Sequence, residues 1–281
     1  MGRSGLVLEG GAMRGIYTAG VLDVFLEEGV HFDGVIGVSA GAIHGASYVS
    51  EQKGRSIRYY KKYCKDRRFM SFWSLLTTGS IVGDKFCYHD LPERLDPFDY
   101  DAFDRSDTEF YAGCSNLETG KAEYLRIRDM RSGIDIMKAS ASMPYVSKIV
   151  SWEGKKLLDG GCTDSIPVRA FQKMGFDKNV VVLTRHDGYV KLPENGKMAP
   201  VFYRKYPEFV RAVRNRYKTY NRTVRDIKKM EEKGEIFVIR PSVPLTIPRM
   251  SHDSEELQKV YDIGWRDAKN QIESLKEWME D

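Results

Sequence analysis

The stretch "FDGVIGVSAGAIHGAS", residues 32–47, decides the fold. A short β-branched run, 34–38, stops on Ser39 between Gly37 and Gly41, and an Ala-rich helical pattern, 40–54, follows at once. A strand that turns directly into a helix through Gly-x-Ser-x-Gly lifts the serine hydroxyl onto a strained turn, where only glycine neighbours leave room. The helix then aims its first amide groups and its positive dipole end at the same point. The same letters also fit a structural serine in a tight connection, so the surroundings must discriminate.

A second strand-to-helix junction lies upstream, "LEGGAMRGIY" at 8–17. Such a loop either holds a dinucleotide pyrophosphate through G-x-G-x-x-G or offers backbone N–H groups to a developing oxyanion. Gly10 and Gly15 suit the first reading, but Ala12 replaces its middle glycine. Val38-Ser39 also stands where an acidic residue would close the second strand. An oxyanion loop here, beside a nucleophile at Ser39, accounts for both strand ends together.

A serine nucleophile needs a base. Of the five histidines, His186 follows the run "NVVVLT" (179–184) and is the best placed; the order Ser39, Asp159, then His186 or His252 would make a triad. That arrangement usually has several strands before its serine, and only one precedes Ser39. The alternative is "KKLLDGGCTDSIPV" (155–168), in which an apolar run ends on Asp159 ahead of Gly160 and Gly161. A carboxylate buried there rises in pKa and can take the serine proton without histidine.

Around these motifs, short strand-like runs (5–9, 34–38, 109–116, 122–127, 155–159, 179–184 and 236–240) alternate with helical patterns such as 15–29, 40–54 and 168–176. Alternation of this kind predicts an α/β protein, a three-layer α/β/α sandwich on a mostly parallel sheet. The catalytic domain is expected at 5–185. From 190 to 281 a C-terminal helical extension is expected to pack on the same domain. Its last helix places Leu257, Val260, Tyr261, Gly264, Trp265, Ala268, Ile272 and Leu275 on one stripe.

The 281 residues suffice for one large core, and a net charge of +4 is too mild to call for nucleic acid. Four cysteines without a C-x-x-C pair, no apolar run behind a basic start and no stretch of ~18 apolar residues predict a cytoplasmic protein, soluble or peripheral to a membrane. Two basic segments that carry aromatics, 55–69 and 204–229, suit either a solvated face or contact with an anionic bilayer. Segment 69–83 either lines an acyl-chain pocket or fills core.

Taken together, "EGGAMRG" (9–15), "GVSAG" (37–41) and "DGG" (159–161), with "KASASMPYVSKIV" (138–150), resemble the patatin-like phospholipases, lipid acyl hydrolases, and the chain is similar to bacterial-type members. The resemblance implies a Ser39–Asp159 dyad, an oxyanion hole at Gly10, Gly11 and Ala12, a lipid ester substrate, and neither metal nor other cofactor. It implies supporting roles for Arg14, Gly15, Gly37, Gly41, Gly160 and Gly161, with Arg14 fixing the loop or an anionic group. Acyl transfer by the same dyad and a silent lipid-binding module are the alternatives. The oligomeric state is not legible. Ala12 departs from the family's third glycine; a positive φ there would cost about 1 kcal/mol or more, and a negative φ little.

Overall fold

A computed structural model describes residues 2–193 and 198–280. In chain order the strands are β1 (Arg3–Leu8), β2 (Gly34–Val38), β3 (Glu109–Asn116), β4 (Ala122–Ile127), β5 (Val150–Trp152), β6 (Lys155–Asp159), β7 (Phe176–Val182) and β8 (Ile236–Ile239). The α-helices are α1 (Gly15–Glu27), α2 (Ala40–Val49), α3 (Arg55–Tyr63), α4 (Phe72–Thr78), α5 (Tyr100–Arg105), α6 (Ile134–Ser140), α7 (Val168–Lys173), α8 (Ala199–Phe202), α9 (Pro207–Glu232), α10 (Ser254–Lys269) and α11 (Ile272–Glu280).

Strand residues alternate between two apolar layers, as a period of two requires. Leu6, Leu8, Val35, Val180 and Val182 enter one core with the apolar sides of α1, α2 and α10. Val7, Ile36 and Val181 point the other way, into a second core with Phe171 of α7 and Tyr220, Ile227 and Met230 of α9. The chain is therefore the expected α/β/α sandwich with C-terminal helices. Its sheet is more mixed than the alternation suggests. β3, β2, β1, β7 and β8 run parallel in that order, whereas β4 and β6 pair antiparallel with β3, and β5 antiparallel with β6.

Backbone N–H directions alternate along a strand, and this shows how β3 uses its edges. Glu109 N–H donates to Asp33 at the start of β2, and Leu117 N–H donates to Lys156 of β6. Asn116 N–H points oppositely, to Lys121 beside β4. β2 and β6 thus occupy the same edge of β3, one after the other. Val38, the last residue of β2, pairs with Gly113, and Asp159, the last of β6, pairs with Cys114. Two strands arriving from opposite directions meet at their C-terminal ends.

The final helical stripe breaks in two, with α10 ending at Lys269 and α11 starting at Ile272. Asp253 caps α10 by accepting from the N–H groups of Glu255 and Glu256. Leu257, Val260, Ala268, Ile272 and Leu275 are buried, while Trp265 stays 36% exposed at the rim, with Lys269 over its ring. No disulfide forms among the described residues, and Cys64, Cys114 and Cys162 are buried. Among the described residues no helix is long and apolar enough to cross a membrane.

His44 lies in α2, fully buried, with Nδ1 2.9 Å from the Ser56 hydroxyl, and burial pushes its pKa down to about 3. Since the folded value lies below the ordinary 6.5, its contribution is complete above pH ~6.5 and is lost as pH falls toward 3. Denaturant unfolding is expected to show about 2 kcal/mol of stability lost between pH 8 and pH 5 on this account. His44→Gln should flatten that limb; an unchanged limb would remove the assignment.

Candidate active site

Ser39 sits where β2 turns into α2, at φ 55° and ψ −122°. That region is sparsely populated for a residue with a Cβ, and holding it there costs roughly 1–3 kcal/mol. Close packing of the turn maintains it. A Cβ at Gly37 would stand 2.4 Å from Ala42 N, and one at Gly41 2.5 Å from Leu8 O. Both glycines therefore let β1 and α2 close on the serine. Ser39 N–H donates to the Ser140 hydroxyl at 2.9 Å, and that hydroxyl donates to Gly113 O at 2.7 Å.

Asp159 comes to the same place because β6 abuts β2. Its own N–H donates to Ser142 O at 2.9 Å, and one carboxylate oxygen accepts from Gly161 N–H at 2.7 Å. Gly160 is required here, since a Cβ would lie 2.3 Å from Gly113 O. Burial raises the Asp159 carboxyl above the usual carboxylate range; the Ser39 hydroxyl, Gly161 N–H, Arg216 and Arg249 pull in the opposite direction. Asp159 is thus a carboxylate of raised basicity whose partner is an alcohol.

The loop before α1 approaches from β1. Gly10 N–H is already committed to Ser165 O at 3.3 Å. Gly11 and Ala12 N–H meet no protein acceptor among the described residues, so they are the available members of the expected trio. Ala12 adopts φ 48°, so the strain anticipated for a non-glycine residue is present. Among the described residues the buried Nε of Arg14 has no hydrogen-bond partner. Gly15 lets α1 pack on α2, where a Cβ would lie 2.5 Å from that of Ala40.

Two chambers meet at Ala12, Ser39 and Met143. One is apolar, with Ile43, Tyr59, Phe69, Leu91, Met137 and Ala141 among its walls. The other contains Asp159, Gly11 and several cations. No histidine lines either chamber among the described residues. His44 is held by Ser56, His252 is bonded to Cys64 O, and His186 lies near Tyr189. The histidine triad therefore has no imidazole at the serine.

Two sequence expectations divide. In segment 69–83, Phe69, Met70 and Val82 line the apolar chamber, while Phe72, Trp73 and Leu76 of α4 are exposed. In the basic segments, Tyr59, Tyr60, Phe209 and Tyr220 are buried, so these aromatics are core and not bilayer contacts. Sequence reading missed the part taken by α9. Tyr220 donates to the buried Glu9 at 2.8 Å beneath the first loop, and Arg216 Nε donates to Gly161 O beside Asp159. Both were hidden in a helix whose other arginines and lysines are ordinary surface charges.

A family model described as "Patatin-like phospholipase" matches residues 6–171, more than half of the chain. The chain belongs to the patatin-like phospholipase family. It is 26% identical to "Uncharacterized protein YjjU" of Escherichia coli (strain K12), over 94% of this chain and 75% of that one. It is also 26% identical to "Lysophospholipase nte1" of Aspergillus niger, over 98% of this chain but 18% of that one. A third relative, "Lysophospholipase nte1" of Aspergillus oryzae, is 30% identical over 63% of this chain and 11% of the relative. The chain thus spans less than a fifth of the lysophospholipases it matches. VipD from Legionella pneumophila aligns with a TM-score of 0.47 at 14% identity, over 98% of this chain and 67% of that one. Residues 206–280 match a domain of unknown function.

Proposed function

We propose that the protein is a serine acyl hydrolase that cleaves carboxylic esters of phospholipids or related lipids. The observation that carries the reading is the strained Ser39 hydroxyl facing a buried carboxylate at the junction of an apolar and a polar chamber. The acyl chain would occupy the apolar chamber and place its carbonyl at Ser39. Ser39 Oγ attacks the carbonyl carbon while its proton passes to Asp159. The tetrahedral oxyanion is held by Gly11 and Ala12 N–H, with the positive end of α2 nearby. As the ester C–O bond breaks, Asp159 returns the proton to the departing alcohol. Water then gives a proton to Asp159 and attacks the acyl-enzyme, releasing the fatty acid and restoring Ser39.

The members of the lysophospholipase group named above support lipid as the substrate class, as does the apolar chamber. Exposed apolar side chains near the polar mouth, including Val190 and Leu192, suit delivery from a lipid surface. A fluorophosphonate is expected to label the wild-type protein at one site, identified by mass spectrometry as Ser39, and to leave Ser39→Ala unlabelled. Labelling of the variant at the wild-type rate would remove Ser39 as nucleophile. An acceptor alcohol that outcompetes water for the acyl group would assign the same dyad to acyl transfer.

A further inference from the structure

The apolar chamber follows α2 from Ser39 and Ala40 past Ile43 to Ala46, about 10 Å at the rise of a helix. Phe98 and Tyr100 are also among its walls. The same two side chains line a separate cleft with Gln52, Pro97, Asp99, Asp101 and Arg131. Pro97, Asp99, Asp101 and Arg131 are exposed, so that cleft is polar and lies at the surface. A pair of rings therefore stands between an apolar interior that opens at the serine and a wet space outside.

The partition lies at the end of α2 remote from Ser39, and its backbone is held. Gln52, just after α2, donates to Pro97 O at 3.0 Å and accepts from Asp99 N–H at 2.9 Å, gripping the chain on both sides of Phe98. Phe98 N–H donates to Pro92 O at 2.8 Å. From α3, Arg55 donates through Nη2 to Asp96 O at 2.9 Å and sets its guanidinium 5.3 Å from the centre of the Phe98 ring. That ring meets Tyr100 edge-on with centres 5.1 Å apart, and Arg131, on the cleft side, covers Tyr100 at 4.0 Å. With the backbone fixed from α2 and α3, the side chain at 98 decides whether the two spaces join.

We propose that Phe98 and Tyr100 form the floor of the apolar chamber and set the longest acyl chain that the site accepts, with Phe98 as the specificity-determining residue. The inference rests on the reading that the acyl chain of the ester occupies this chamber. Each methylene buried within it strengthens binding about fourfold. A methylene beyond the floor meets carboxylates, a guanidinium and water, and gains nothing. A closed floor therefore turns chain length into selectivity.

The test measures kcat/KM on p-nitrophenyl esters from butyrate to palmitate in a neutral detergent. Wild type is expected to gain with length up to a limit and then to fall. Phe98→Ala joins the chamber to the cleft and should raise the palmitate-to-octanoate ratio about tenfold, Phe98→Trp should lower it about tenfold, and Phe98→Leu should lie between alanine and wild type. Thermal unfolding checks each variant; if Phe98→Ala does not fold, the leucine and tryptophan variants carry the test in opposite directions. A second arm titrates straight-chain alcohols, from butanol to dodecanol, by calorimetry into Ser39→Ala with and without Phe98→Ala. The length at which affinity stops rising should move to longer alcohols when Phe98 is lost. A limit that moves for alcohols but not for esters would support the floor and assign the chamber to the departing alcohol of the substrate. No length limit in wild type, or one limit shared by all variants in both arms, would overturn the proposal. Calorimetry needs no turnover, so a failure of the dyad and a failure of the floor give different results.

Discussion

Asp159→Asn is expected to lower kcat for ester hydrolysis by about 10³-fold, within the range for losing a positioned general base, while leaving the protein at least as stable at neutral pH. The amide keeps the size of the side chain and can still accept from Gly161 N–H, but it cannot take the Ser39 proton. Stability moves the other way for a definite reason. Burial raises the folded-state pKa of Asp159 above the usual value. Such a group stabilises the fold fully below its unfolded pKa, and this contribution is lost as pH rises through the folded one. Above its folded-state pKa the ionised carboxylate is therefore a burden that asparagine removes. The same shift sets the acid limb of wild-type kcat/KM above the ordinary carboxylate range, and Asp159→Asn should abolish that limb along with the rate. A variant that stays active, or that loses activity together with its cooperative unfolding, would refute this role.

Gly264→Val is expected to be the most damaging single change away from the site. α1 and α10 cross through reciprocal glycines. A Cβ at Gly264 would fall 2.0 Å from Tyr17 O, and one at Gly20 would fall 2.2 Å from Tyr261 O. Both obstacles are backbone atoms, which cannot rotate aside. Overpacking of this kind costs about 3 kcal/mol, the upper part of its usual range. At 2–4 °C for each kcal/mol, the melting temperature should fall by roughly 6–12 °C. The loss extends further if α10 lifts away, because Tyr261 bonds Asp23 at 2.7 Å and Asp267 accepts from Tyr17 at 3.1 Å across the same crossing. Arg266→Ala, exposed on the opposite side, should change stability by less than about 0.5 kcal/mol. Equal melting temperatures for the two variants would show that the helices can separate without penalty.

Much of the molecule was legible because local chemistry and tertiary position agree. Gly37-x-Ser39-x-Gly41 specifies its own turn, and the strand runs of β1, β2 and β7 are apolar on both faces because both are covered. Asp159 was legible as the end of an apolar run, but the antiparallel course of β6 was not; nothing local to "KKLLD" states its direction. Ala12 illustrates another limit. Sequence left its φ open, and the packing of the loop chose the positive one. In the basic helices, hydrophobic spacing correctly predicted helix but did not tell which arginines face the interior. Arg216 differs from Arg211 by position on the helix and not by any property of the residue.

The shared edge of β3 bears on when the enzyme can first act. The hydrogen bond from Ser39 to Ser140 spans 101 positions, and the partner strand that delivers Asp159 lies later still. Contacts this distant form slowly, because chain entropy must be surrendered before they give anything back. A growing polypeptide that has emerged only through its elbow carries Ser39 without the carboxylate proposed to take its proton. On the proposed mechanism, competence to cleave an ester therefore arrives only with the closing of the sheet, late in synthesis, and a half-made chain is inert.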